Sequence, residues 1–230
     1  MIKLLEQSAY IGAFLSISTF WLGMYLQKRF KSPILNPLLI STLLIIAFLK
    51  ITGYDYDRMS QNLQFINYLL TPATICLAVP LYEQMKTLQN NMSAIFFGIF
   101  SGVLSSLISI AALCFAFGFD HASYVTILPK AITTPIGMGV SAELGGYVPI
   151  TVACIIFTGI LGNITGEYIL KFLRIRNPIA KGIAMGTAAH AMGTARAMEM
   201  GPVEGAMSSL SICVAGIMTV AGASLFSYLI

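Results

Sequence analysis

Long apolar runs separated by short polar punctuation set the pattern of this chain. No Asp, Glu, Lys or Arg occurs between Glu6 and Lys28, Lys31 and Lys50, Arg58 and Glu83, Lys86 and Asp120, or Glu143 and Glu167, nor after Glu204. Each interval holds roughly one bilayer-crossing helix of about 20 residues. Two shorter intervals, Lys130 to Glu143 and Lys181 to Arg196, need an end charge to span. The pattern predicts an all-α polytopic membrane protein of seven or eight membrane segments. These form a single integral membrane domain over residues 1–230, divisible into halves 1–118 and 119–230. The first stretch, Ser8 to Leu26, exceeds a signal-peptide core of about 7–15 residues and reads as the first span.

The segments have two textures. Ser8 to Leu26, Ile34 to Ile51, Ala94 to Phe119, Thr151 to Leu173 and Met207 to Ile230 are plain apolar helices. Three others are interrupted by Pro, Gly and hydroxyl residues: Leu63 to Leu81, Ile127 to Gly146 and Gly182 to Met198. A helix broken in hydrocarbon exposes amides and carbonyls, so it persists only where protein packs around it or water reaches it. Thr71-Pro72 running to Leu81 overlays Thr134-Pro135 running to Leu144, a short internal repeat. Broken helices at corresponding positions of two halves point to a transporter site near the bilayer midplane.

Composition sharpens the class. The chain is 57% hydrophobic and 10% charged, which excludes a soluble globular domain. Its net charge of +4 is concentrated in two short loops, Lys28-Arg29-Lys31 and Lys171-Arg174-Arg176-Lys181, instead of a stripe interleaved with aromatics. That distribution reads as cytoplasmic loops rather than a nucleic-acid surface. Both loops share one side only if a segment between them fails to cross. Ile127 to Gly146 is the expected exception, as two half-helices or a re-entrant hairpin. Cys76, Cys114, Cys154 and Cys213 lie in apolar runs without a C-x-x-C pair, so they read as small buried hydrophobes, not as metal ligands or disulfides.

The candidate chemistry sits on the broken segments. Lys130 precedes Thr133-Thr134-Pro135, and Arg196 follows His190 and Thr194. Cations on apolar segments usually face a bundle interior and mark an ion or substrate path, although snorkelling to the interface, for Arg196 beside Glu199, is the alternative. Helical spacing places Thr187, His190 and Thr194 on one face, with the imidazole either handling protons or substrate or bonding across a helix interface. Lys130, Thr133, Thr134, His190, Thr194 and Arg196 form the candidate substrate-binding set, with Thr74 and Asn36 as outlying members. Their sign favours a small carboxylate anion. Glu143 and Glu167 both sit near segment ends with glycines close by, and Glu143 reads as a structural ion-pair partner of a buried cation or as the cap of a half-helix. Sequences for metalloprotease, serine hydrolase and phosphate-loop chemistry are absent, so neither an enzyme, a metal nor a cofactor is expected. Two small-residue motifs, Gly98-x-x-x-Gly102 and Gly182-x-x-x-Gly186, offer close helix approach to a partner.

The chain resembles the LrgB/CidB family over nearly its whole length. The likeness is carried by Asn36-Pro37-Leu38-Leu39, Thr71-Pro72-Ala73-Thr74 with Val79-Pro80, Pro129-Lys130 with Thr133-Thr134-Pro135, Glu143-Leu144-Gly145-Gly146, and Gly186-Thr187 through His190 to Gly193-Thr194-Ala195-Arg196. The resemblance implies a multi-pass protein of the bacterial inner membrane. It also implies a holin-like or antiholin-like role in murein hydrolase export and autolysis, a small holin-like membrane partner, and self-association. Other relatives are associated with movement of pyruvate, glycolate or glycerate, with an architecture similar to cation/proton antiporter-like transporters and a proton or other coupling ion. Thr71 and Ala188 depart from the expected Gly and Ser. A pore component or scaffold without carrier activity is the competing reading.

Overall fold

The computed structural model describes residues 10–30, 35–69, 72, 75, 76 and 78–230, and the described residues are predominantly helical, with no strand among them. Two compact units divide between residues 76 and 77.

In the first unit, α1 (Ile11–Phe30) and α2 (Pro37–Thr52) pack as neighbours through a close approach at Gly23. A Cβ there would stand 2.8 Å from the Pro37 Cα. Thr19 and Ser41 share a hydroxyl hydrogen bond of 2.8 Å across the same seam. Asn36 starts α2: its Oδ1 accepts from the Leu38 and Leu39 amides at 2.9 and 3.3 Å, and Pro37 occupies the first turn, where its missing N–H costs nothing. Gly53, at φ 65°, ends the helix in the left-handed conformation. Asp55 then caps α3 (Tyr56–Asn62), accepting from the Arg58 amide at 2.9 Å. A short α4 (Gln64–Tyr68) follows.

The second unit begins with two short helices, α5 (Ala78–Glu83) and α6 (Met85–Asn90). Its frame is three long ones: α7 (Met92–Ala116), α10 (Val148–Phe172) and α12 (Pro202–Phe226). Among the described residues these three are long and apolar enough to cross a membrane, with α2 a shorter apolar helix. Helix α1, expected as the first span, has 20 residues but carries Ser16, Ser18, Thr19 and Gln27, and falls short of that apolarity. Along α7, Ile95, Ile99, Val103, Leu107, Ile110 and Cys114 recur at helical spacing and form the core face, while Phe96, Phe97 and Phe100 point outward. An aromatic outer face suits a lipid surrounding and makes this an integral membrane protein.

Two hairpins fill the frame. In the first, α8 (His121–Ile127) and α9 (Thr134–Glu143) are half-helices joined by the irregular link 128–133. Thr126 ties the hairpin to its exit: its Oγ1 accepts from the Tyr147 amide at 2.7 Å and its carbonyl from Thr151 Oγ1 at 2.8 Å. Ser141 Oγ lies 2.7 Å from the same Thr151 Oγ1 and shares a hydroxyl hydrogen bond with it. The predicted interruption at Ile127 to Gly146 is thus a break between two half-helices whose arms return side by side.

The second hairpin lies within α11 (Pro178–Met200). Ala189 (φ −135°, ψ 19°) and His190 (φ 42°, ψ −135°) leave the helix and the chain reverses. A Cβ on Gly193 would collide with the carbonyl of Met185, eight residues earlier, whereas eight residues of straight helix rise about 12 Å. Both arms lie along α12. On the incoming arm, Gly182 meets the Glu204 carbonyl and Gly186 the Ser208 carbonyl, a parallel register. On the outgoing arm, Thr194 bonds Ser208 at 2.7 Å and Met198 faces Gly205, an antiparallel one. A methyl at Gly186 would stand 2.9 Å from the Ser208 Cα. Gly186→Ala is therefore expected to lower stability by about 1–3 kcal/mol. Gly139→Ala, which meets nothing within 4 Å, is expected to be near neutral. The thermal unfolding midpoints of the two purified variants in detergent check this.

Candidate functional site

Helix α7 and the incoming arm of α11 run in parallel, because Gly98 faces Ile183 and Gly102 faces Thr187. Between them opens a cavity of about 680 Å³. It starts beside Asn91 and Asn177, passes the small and hydroxyl side of α7 at Gly98, Gly102 and Ser105, and reaches Lys130 and Ala131 on the link of the first hairpin. Asn177 caps α11 by accepting from the Ile179 and Ala180 amides at 2.9 and 3.3 Å. Neither Asp nor Glu contributes to the lining. Among the described residues no carboxylate pairs with Lys130, so the cavity presents one ammonium and several hydroxyls to whatever enters.

Thr187 is the other unusual lining group. It is only 6% exposed, and its Oγ1 has no hydrogen-bond partner. A buried hydroxyl left unpaired costs about 1–3 kcal/mol.

The second cation goes elsewhere. Arg196 forms ion pairs with Glu167 and Glu199, and Lys171 pairs with the same Glu167 at 2.6 Å. Lys181 approaches Glu204 at 3.9 Å. Glu167, Lys171, Lys181, Arg196 and Glu199 line a separate pocket of about 270 Å³ where the two arms of α11 meet α10. The structural ion pairs thus fall to Glu167, whereas Glu143, expected to pair or to cap, is exposed at the end of α9 and has no ion pair among the described residues.

His190 and Thr194 do not share a face with Thr187, as helical spacing predicted. The bend at Ala189 and His190 separates them. His190, 4% exposed, bonds the Ile155 carbonyl through Nε2 at 3.1 Å, and Thr194 donates to the His190 carbonyl at 3.1 Å. Both fix the second hairpin and neither lines the cavity. Thr133 and Thr134 open α9 just beyond Ala131 and also lie outside the lining. Asn36 caps α2 in the first unit. Thr74 lies outside the described residues, as does Thr71. The small-residue motifs are used internally: Gly98 and Gly102 face α11, and Gly182 and Gly186 face α12. All four cysteines are free thiols. Sequence reasoning passed over Ser105, Ser106, Ser109 and Asn177, though the recurrence of Gly98, Gly102 and Ser105 at helical spacing was a visible sign of an apolar helix with one polar side.

These features define a helical integral membrane protein with an open cleft lined by one lysine. The chain belongs to the LrgB-like family, whose profile matches residues 16–229. It is 37% identical to the holin-like protein CidB of Staphylococcus aureus, over 92% of each chain. It is also 37% identical to the antiholin-like protein LrgB of Bacillus subtilis, over 97% of each. The uncharacterized protein YxaC of the same organism is 38% identical over 91% of each. No solved structure matches the chain.

The two cations have different expected phenotypes. Arg196→Ala strips two carboxylates of their partner, and with Arg196 one-third exposed the loss is about 1–2 kcal/mol after screening. Lys130→Ala leaves no carboxylate unpaired, so its unfolding midpoint is expected to stay close to that of the native protein. Calorimetry of the two variants in detergent distinguishes them.

Proposed function

We propose that the chain is a multi-pass carrier of the bacterial cytoplasmic membrane, with seven or eight membrane segments, that moves small carboxylates such as pyruvate or glycolate. The observation that carries the reading is Lys130: an ammonium on the non-helical link of a hairpin, without a carboxylate partner among the described residues, at the end of a cleft lined by serines. An ion in that setting is costly unless a counter-charge arrives, and a substrate anion supplies one. Broken helices beside a cleft also fit a carrier, where non-helical backbone at membrane depth lines the substrate path.

In this reading the hairpins are re-entrant, the cleft alternates in access, and a proton or other ion couples the flux. Copies of the chain associate, and the architecture is similar to antiporter-like transporters. The names of the relatives support a link to holin-type control of murein hydrolases and autolysis, with a small holin-like membrane protein as partner. Those names also favour a second reading, a pore component or scaffold without carrier activity. Against the scaffold stands the internal use of both small-residue motifs.

Uptake of labelled pyruvate, glycolate and lactate by proteoliposomes, with and without a pH gradient, tests the carrier. Lys130→Ala is expected to cut saturable uptake at least tenfold, a change of about 1.4 kcal/mol or more, with insertion intact. Uptake that neither saturates nor responds to the substitution, together with leakage of larger solutes, would establish the pore instead.

A further inference from the structure

We propose that the charged pocket between α10 and α11, together with the basic loop beside it, binds the phosphate headgroup of an anionic phospholipid; the proposal is independent of the carrier reading. The reversal at Ala189 and His190 returns the last turns of α11 beside its first, so Lys181 and Arg196 line one pocket with Glu167 and Lys171 of α10. Its volume of about 270 Å³, the space of roughly nine waters, accommodates a phosphate. Residues 173–177 form the loop that joins the two helices. The first ground is charge. Lys171, Arg174, Arg176, Lys181 and Arg196 gather there against three carboxylates, Glu167, Glu199 and Glu204. Arg174 and Arg176 are exposed and form no ion pair among the described residues, and Lys181 comes no nearer than 3.9 Å to Glu204.

The second ground is an anchored turn. Ile175 packs against the cluster of Leu170, Met185 and Ala197, and its amide donates to the Leu170 carbonyl at 2.9 Å. The Arg174 amide donates to the Lys171 carbonyl at 3.0 Å, with Arg174 at φ 56°, a position that glycine usually fills at a helix end. Two exposed arginines thus flank a fixed residue. The third ground is level. Helix α10 is apolar enough to cross a membrane, and at its end Ile169, Phe172 and Leu173 are exposed. Exposed apolar residues up to 173 and arginines from 174 onward mark where acyl chains give way to headgroups. Basic pockets between membrane helices at that level suit anionic lipid headgroups. The phosphate answers the surplus cations, and the chains lie along Phe172 and Leu173.

The test follows the unfolding midpoint of the full chain in detergent during titration with phosphatidylglycerol, phosphatidylcholine or inorganic phosphate. Phosphatidylglycerol is expected to raise the midpoint at concentrations where phosphatidylcholine leaves it in place. Arg174→Gln combined with Arg176→Gln breaks no ion pair, so the lipid-free midpoint is expected to hold while about tenfold more phosphatidylglycerol is needed for the same rise. Lys28→Gln combined with Arg29→Gln removes equal charge from the other basic loop and is expected to leave the response unchanged. Lys171→Gln, which leaves Arg196 to pair with Glu167, is an independent variant expected to weaken the response severalfold. Equal weakening in both double variants would reduce the effect to overall charge and overturn the site. An equal rise with the two lipids would do the same. A rise with inorganic phosphate alone, lost in the Arg174 and Arg176 variant, would overturn the lipid source and leave a soluble anion as the ligand.

Discussion

Every amide and carbonyl that leaves a helix inside an apolar shell must find another partner, and the second unit is organised around that demand. Two of its breaks, the link 128–133 and the bend at 189–190, lie within hairpins instead of between long helices. The link partly satisfies itself through backbone turns, Lys130 N–H to the Ile127 carbonyl at 3.0 Å and Ile132 N–H to the Pro129 carbonyl at 3.3 Å, while the bend is tied to α10. Asn163 of α10 donates to the Met192 carbonyl at 2.7 Å, and His190 reaches the Ile155 carbonyl on the same helix. Thr126, Ser141 and Thr151 form a comparable cluster beneath the first hairpin. Without these groups the breaks would carry several kcal/mol of unsatisfied polar backbone.

Close approach does the remaining work. Arms that reverse and then lie on α12 bring backbone against backbone, and glycines at 182, 186, 193 and 205 are where it happens. Small residues at such contacts gain dispersion energy in a setting where lipid offers no hydrophobic drive for helices to associate. His190 is the exception in kind. It holds φ at 42° with a full side chain, a conformation that costs on the order of 1–3 kcal/mol and persists because Ile155 and Thr194 fix it from two sides.

Much of this was legible beforehand, and the remainder was hidden for definable reasons. Pro129, Lys130 and Pro135 announced the first break, because proline ends helices and a lysine in an apolar stretch demands an explanation. Gly182, Gly186 and Gly193 announced irregularity in the second, but glycine spacing alone does not separate a kink from a full reversal, and the bend fell on Ala189 and His190. A single helical wheel through that bend grouped Thr187 with His190 and Thr194, which the fold sends apart. Lys130 and Arg196 looked alike as lone cations; only tertiary structure revealed that Glu167, distant in sequence, claims the arginine. The serine side of α7 has no charge to draw attention and became meaningful only when Lys130 was found at its end.

The charged pocket formed by Glu167, Lys171, Lys181, Arg196 and Glu199 has a consequence for how the second hairpin can move. Its open end is held by partly exposed ions, its bend by buried neutral bonds. Electrolyte shortens the reach of exposed charges to about 8 Å at physiological strength and leaves neutral bonds untouched. Ionic conditions therefore act on one extremity of the hairpin, while the bend and the close packing of both arms along α12 are left as they are.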